Sequence, residues 1–168
     1  MKKISILGAS LLSMIALVTV MFFHSCTKDD CKDVVCLNGG TCVSGTCECP
    51  TGYEGSDCTT EERTEFLGTY TVVEDCSASN STSYVVSIIA GTNISEVLIS
   101  NMWDAFVAPV VATINGNTIS IANQEPDGDG FSVQGSGTIT GNIITMNYTV
   151  TDGSNGSQDN CTTSLWTK

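Results

Sequence analysis

The sequence reads FLGTYTVVEDC at residues 66–76 and NCTTSLWT at residues 160–167. The region that these stretches bound is rich in Thr, Ser, Val and Ile, a composition typical of β-strands. Cys76 follows the first stretch and Cys161 begins the last strand of the region. We predict the disulfide Cys76–Cys161, which requires the two Cα atoms to lie within about 7 Å of each other. The first and last strands are then antiparallel neighbours, as closure of a β-barrel requires.

Several stretches of residues 66–168 alternate apolar and polar positions, as at 144–150, and none shows sustained helical periodicity. Tight-turn signals such as Asn115-Gly116 favour antiparallel neighbours. We therefore predict an all-β domain, an up-and-down β-barrel of about eight strands, with a β-sandwich as the alternative. The predicted strands span residues 66–75, 82–90, 94–102, 107–114, 117–123, 130–139, 142–151 and 160–167.

A second, cysteine-rich module precedes this domain at residues 31–58, with the spacing C-x4-C-x5-C-x4-C-x-C-x8-C. So short a segment cannot bury a sufficient hydrophobic core, so disulfides must hold its fold. Six cysteines allow 15 connectivities, and spacing alone does not choose among them. The absence of C-x2-C pairs argues against zinc. The polar segment TTEERTE at residues 59–65 is predicted to be a linker.

The module resembles an EGF-like domain through Asn38-Gly39-Gly40, before the third cysteine, and CECPTGY at residues 47–53. The resemblance implies pairing of the first cysteine with the third, the second with the fourth and the fifth with the sixth. It also implies a module without calcium, because the loop at residues 43–46 is too short for the calcium-associated residues of that family. The implied disulfides are Cys31–Cys42, Cys36–Cys47 and Cys49–Cys58.

The N-terminal segment is typical of a secretory signal, with Lys2 and Lys3 followed by an uncharged apolar run at residues 4–23. A transmembrane helix is the alternative. Phe23-His24-Ser25-Cys26 resembles the lipobox of bacterial lipoproteins, which implies removal of residues 1–25 and lipid attachment at Cys26. If the other eight cysteines form disulfides with one another, Cys26 has no disulfide partner, in agreement with lipid attachment at this residue.

Residues 26–30 form a short polar tether that includes Lys28, Asp29 and Asp30. These three residues resemble the export signal of Bacteroidetes-type lipoproteins. The resemblance implies an outer-membrane protein, anchored by lipid and exposed at the cell surface. An anchor facing the periplasm is the alternative.

Composition excludes several function classes. The chain has 18 acidic and 6 basic residues, and two of the basic residues lie in the leader. The remaining scattered cations cannot supply a nucleic-acid interface. The single histidine, His24, is also in the leader, which removes histidine-based catalysis from the mature chain. The acidic segment at residues 125–130 is interpreted as a hairpin loop rather than a calcium site. We therefore expect no metal, no cofactor and no enzymatic activity.

The function expected from these features is binding, adhesion or display at the cell envelope, with an extracellular protein or glycan as partner. FLGTY at residues 66–70 resembles the start of lipocalin-like barrels, with Tyr70 in place of Trp. This resemblance implies the alternative function, a carrier of a small apolar ligand. Because the strands are short, we expect a barrel filled by side chains instead. Residues 103–106 (WDAF) are predicted to cap it.

The first prediction concerns the lipid anchor. Replacing the acceptor residue, Cys26→Ala, should release the protein from the membrane fraction, because the acyl chains supply the membrane affinity. The measurement is fractionation followed by a carbonate wash. A Cys26→Ala protein that stays in the washed membranes would show that residues 4–23 span the membrane.

Overall fold

The computed structural model describes residues 30–79 and 82–168. The predicted signal peptide and Cys26, Lys28 and Asp29 lie outside these residues. Across the two described ranges the fold is all-β, with two short 3-10 helices at Glu62–Glu65 and Met102–Asp104. Neither range contains a helix with the length and apolar character needed to cross a membrane.

The cysteine-rich module consists of two small antiparallel hairpins. The turn of the first hairpin contains Ser44 and Gly45, both with positive φ, as a type I′ turn requires. Three disulfides hold the module, with the same pairs that the EGF-like resemblance implied: Cys31–Cys42, Cys36–Cys47 and Cys49–Cys58. Its strands are β1 (Thr41–Val43), β2 (Thr46–Glu48), β3 (Tyr53–Glu54) and β4 (Thr60–Glu61).

The segment at residues 59–65, predicted to be a linker, has regular structure and contacts the barrel. It contributes β4 and the first 3-10 helix. Arg63 is buried, and its Nη1 atom lies 2.9 Å from the carbonyl oxygen of Gly91 and 2.7 Å from that of Asn93. Hydrogen bonds to charged groups stabilise more than neutral ones do. The charge of Arg63, which suggested a solvated linker, therefore helps to hold the module against the barrel.

The second domain is an eight-stranded antiparallel closed barrel, which confirms the predicted fold class. Each strand pairs with the next along the chain, and β12 pairs with β5 to close the ring, with Trp166 opposite Val72. The strands are β5 (Gly68–Glu74), β6 (Thr82–Ala90), β7 (Glu96–Ser100), β8 (Val110–Asn115), β9 (Thr118–Gln124), β10 (Phe131–Thr140), β11 (Ile143–Asp152) and β12 (Gln158–Thr167). A single ring leaves no place for the two sheets of the alternative sandwich.

The predicted strands agree with the observed ones to within a few residues. The first strand begins at Gly68 rather than at Phe66, which is buried ahead of it. Cys76 and Cys161 form a disulfide with a Cα–Cα distance of 4.1 Å, at an antiparallel bridge between the two chain segments. The covalent link and the closing strand pair therefore lie together.

Side chains fill the interior of the barrel. The inward positions of each strand are mainly apolar, and Tyr70, Ile88 and Trp166 are almost fully buried. At Gly135 and Gly137 a Cβ atom would collide with the cross-strand residues of β11. Glycine therefore lets β11 side chains lie close against the backbone of β10.

The up-and-down topology gives the barrel two different ends. One end, which we call the module end, carries the short connections at residues 91–95, 116–117 and 141–142, and the cysteine-rich module packs beside it. There Glu62 accepts a hydrogen bond from the amide of Gly116. The opposite end, the loop end, carries the connections β5–β6, β7–β8, β9–β10 and β11–β12. The longer loops are thus gathered away from the module.

The second prediction concerns barrel closure. Replacing both Cys76 and Cys161 with alanine should lower the free energy of unfolding by about 4–5 kcal/mol, because the bond restricts a long loop in the unfolded chain. Urea unfolding followed by tryptophan emission, to which the buried Trp166 contributes, measures this change. Removal of Cys31–Cys42 in the module is the matched control and should affect barrel unfolding much less. Equal urea midpoints for the wild type and the Cys76/Cys161 variant would contradict the prediction.

Candidate functional site

A cleft of about 210 Å³ opens at the loop end of the barrel. Trp103 and Phe131 form its aromatic sides, with ring centroids 6.0 Å apart. Asp152 and Asp159 add carboxylates to its lining. A second hollow of about 270 Å³ lies on another side of Trp103 and is lined also by Asp104. Trp103 borders both hollows, and we call the hollow between Trp103 and Phe131 the Trp103 cleft.

The backbone around Trp103 is held in an unusual conformation. Asn101, Trp103 and Asp104 all have φ between 51° and 59°, the left-handed region. Such residues cost of order 1–3 kcal/mol each and persist only where the surroundings hold them. Part of that hold comes from the Asn101 side-chain amide, which donates to the carbonyl of Val85 at 2.9 Å. In this conformation the Trp103 ring packs against Phe106 and Phe131.

Two hydrogen bonds attach Trp103 to the barrel. Its backbone N–H donates to the hydroxyl of Tyr84 at 3.0 Å. Its indole Nε1–H donates to Oδ2 of Asp159 at 3.2 Å. One bond leads into the barrel interior and the other to the start of β12. The orientation of the indole is therefore determined from both sides of the residue.

Asp159 is an almost buried carboxylate whose acceptor sites are filled by neighbouring donors. Besides Trp103, the amide of Ala78 and the hydroxyl of Ser79 each donate to it at 2.7 Å, and the hydroxyl of Ser77 lies at 3.4 Å. Burial opposes ionisation of this group, but the hydrogen bonds outweigh it and lower the pKa of Asp159. A carboxylate has about four acceptor sites, so this one orients its neighbours rather than reaching into the cleft.

Beneath Trp103 lies a second buried carboxylate, Glu74, inside the barrel. The hydroxyls of Tyr84, Tyr148 and Ser164 donate to it at 2.9, 2.7 and 2.7 Å. Two of these hydroxyls also accept a hydrogen bond, since Trp103 donates to Tyr84 and the indole of Trp166 donates to Ser164 at 2.9 Å. Each chain of donors thus ends on Glu74. Buried polar groups that are satisfied in this way favour one arrangement of the core.

The two phenols stay protonated in this setting. Burial raises the pKa of Tyr84, and the nearby Glu74 carboxylate adds to the effect. Burial likewise raises the pKa of Tyr148, with Tyr84 and Glu74 contributing. Protonated hydroxyls are the donors that the Glu74 carboxylate needs. The network therefore connects the core to the Trp103 backbone as a structural support.

Asp152, at the rim of the cleft, keeps part of its acceptor capacity. The Ser154 hydroxyl and amide both donate to its Oδ1 atom, at 2.6 and 2.8 Å, and the Asn155 side chain donates to Oδ2 at 2.9 Å. These bonds, led by that of the Ser154 hydroxyl, lower the pKa of Asp152. Three donors against about four acceptor sites leave room for one more. Asp152 can therefore pair with a ligand.

Several predicted residues lie away from this cleft. Asp30 is exposed in a turn beside Gly45, in the module. The carboxylate of Asp127, in the acidic loop, accepts the amides of Val107 and Ala108, in agreement with the interpretation as a structural loop. The disulfide Cys76–Cys161 lies next to Glu74. Because both sulfurs are bonded to each other, this trio does not offer thiolates to a metal.

Sequence reasoning missed the role of Glu74. The inward alternation of Tyr70 and Val72 continues to this residue, so the pattern could have placed a carboxylate inside the barrel. Asp159, at the second position of β12, carried no comparable signal. Its partners come from the β5–β6 and β7–β8 loops and meet it only in three dimensions.

No protein-family model matches the chain, and no curated protein matches it at a significant level.

The third prediction concerns Asp159. Its pKa in the folded chain lies below the unfolded value of about 3.9, so its contribution to stability is present above that pH and is lost as the pH falls through the folded value. We expect Asp159→Asn to destabilise the protein at neutral pH by about 1–3 kcal/mol. We also expect a shallower loss of stability for this variant below about pH 4.

Urea unfolding at a series of pH values measures both effects. Asp33→Asn, which removes an exposed carboxylate in the module, is the control for net charge. Parallel curves for the wild type and Asp159→Asn would contradict the stated role of Asp159.

Proposed function

We propose that the protein is a lipid-anchored binding protein of the cell envelope, which recognises an extracellular partner through the loop end of its barrel. The observation that carries this proposal is the Trp103 cleft. An aromatic side chain is held there in a strained, hydrogen-bonded conformation beside a hollow. Trp103 is only half-buried, and tryptophan side chains contribute much of the binding energy of many recognition surfaces.

The arrangement of the two domains supports this proposal. The chain enters the barrel at the module end, so the loop end lies on the side of the barrel opposite the cysteine-rich module. If Cys26 carries the lipid, the membrane lies towards the module and the cleft faces outwards. The contacts of Arg63 and Glu62 with barrel turns hold the module in place beside that end. A rigid spacer would present the cleft at a constant orientation.

The finer identities of the two domains belong to the same proposal. The disulfide pairs of the module agree with an EGF-like domain, a type of module used as a spacer or a recognition unit. The eight-stranded antiparallel barrel agrees with a lipocalin-like domain. Its filled interior favours binding at the loop end over the carrier alternative, because Trp166, Tyr70 and Ile88 occupy the space that an apolar ligand would need. The role is non-catalytic, and Lys28-Asp29-Asp30 directs surface display.

The fourth prediction tests this function on intact cells. Cells that display the full-length protein should adhere to at least one surface in a panel of immobilised extracellular proteins and glycans. Truncation of the aromatic anchor, Trp103→Leu, should lower that adhesion about tenfold. The matched control is Leu165→Ala, a change at an exposed position on the barrel wall.

Surface labelling of each variant ensures that equal amounts are compared. Adhesion that does not exceed that of cells lacking the protein would overturn the proposal, as would equal adhesion by Trp103→Leu cells. Native mass spectrometry of the purified protein covers the alternative, since a retained apolar molecule would support the carrier function.

A further inference from the structure

We infer that the Trp103 cleft receives the cationic side chain of a lysine or arginine in a basic segment of a partner protein. The inference rests on the proposed function and specifies the chemistry of the partner. Three features of the loop end lead to it: the distribution of charge, the aromatic lining of the cleft and the open acceptor site of Asp152.

Acidic residues lie at both ends of the barrel, but the described cations lie only in the module or at the module end. In residues 30–79 and 82–168, the cations are Lys32, in the module, and Arg63 and Lys168, at the module end. The loop end carries acidic side chains and, among the described residues, no cation. These acidic residues are Asp75, Asp104, Glu125, Asp127, Asp129, Asp152 and Asp159. Such a surface attracts positively charged partners and repels negatively charged ones.

The aromatic lining suits a cation as well. The rings of Trp103 and Phe131 are tilted by 40° to each other, with their centroids 6.0 Å apart. An ammonium or guanidinium group is attracted to the face of such rings, and most strongly to that of tryptophan. The methylene groups of a lysine or arginine would meanwhile pack against apolar atoms of the cleft. Trp103 and Phe131 thus suit both parts of the side chain.

Asp152 supplies the matching negative charge. With three donors on its carboxylate, it can accept one further hydrogen bond at the rim of the cleft. Asp159 contributes charge but no open site, because the four donors around it fill its acceptor capacity. Asp152 is therefore the residue that contacts the cation, and Asp159 is a positioning residue that orients Trp103.

The size of the cleft favours one side chain over a free ligand. Its volume of about 210 Å³ is below the roughly 300–1,000 Å³ of sites that enclose drug-sized molecules. The acidic residues also extend over three loops and the adjoining ends of β11 and β12, well beyond the cleft. A basic protein segment would place one cation in the cleft and others along this surface. An isolated amine would use the cleft alone.

The fifth prediction tests this inference with the full-length protein in a non-ionic detergent. The probe is a short peptide of alternating lysine and serine, and its matched control has glutamine in place of lysine. The chain has two tryptophans, and because Trp166 is buried, Trp103 reports on the cleft by its fluorescence. The lysine peptide should change this emission to saturation, and the glutamine peptide should not. Raising the salt from about 50 to about 300 mM should weaken binding.

Variants distinguish the cleft from diffuse attraction. Asp152→Asn and Phe131→Leu should each raise the Kd of the lysine peptide about tenfold. Asp33→Asn, which removes the same charge in the module, should change it by less than about twofold. Circular dichroism verifies the fold of each variant. If Phe131→Leu fails to fold, Asp152→Asn decides the question, because that side chain lies at the rim.

Three outcomes would overturn the inference: no binding of the lysine peptide, equal binding of the glutamine peptide, or lysine-peptide binding that Asp152→Asn leaves unchanged. Adhesion that depends on Trp103 without lysine-peptide binding would refute only the cationic ligand. Loss of both would refute the proposed function as well.

Discussion

The pairing of the first barrel strand with the last is the constraint on which the rest of the structure depends. Strands β5 and β12 are far apart along the chain, and the Cys76–Cys161 disulfide holds their ends 4.1 Å apart at Cα. Closure removes the free sheet edges and creates an interior for the inward side chains. It also brings Glu74 within reach of Ser164, whose hydroxyl donates to it at 2.7 Å. Without this pairing, neither the core nor its polar network could form.

The polar network inside the barrel connects this closure to the surface. The buried carboxylate of Glu74 accepts hydrogen bonds from hydroxyls on strands β6, β11 and β12. One of these hydroxyls, that of Tyr84, also accepts a hydrogen bond from the backbone N–H of Trp103. Leaving any of these buried groups unsatisfied would cost roughly 1–3 kcal/mol, so the network favours one loop conformation. Asp159 fixes the same residue through its indole. The strained backbone around Trp103 is thus stabilised by groups on both sides of it.

The two ends of the barrel have different roles in the proposed function. At the module end, Arg63 and Glu62 bind barrel turns and hold the cysteine-rich module in place. At the loop end, long connections carry acidic and aromatic side chains around a cleft. Attachment at one end and recognition at the other suit a protein that is anchored through its N-terminus. Because the described part of the loop end has acidic residues and no cation, it favours positively charged partners.

Local sequence pattern determined much of this fold. Alternation of apolar residues in several stretches, together with turn signals, indicated about eight strands. The cysteine count, with the EGF-like resemblance, led to the four disulfide pairs that the structure contains. These features are local or countable, so they can be read along the chain. The attachment of residues 59–65 to the barrel could not be predicted in this way. A charged residue such as Arg63 occurs both in solvated linkers and in buried contacts, and the sequence does not distinguish the two. The Trp103 cleft was decided only by tertiary structure, since loops distant in sequence meet there once the barrel closes.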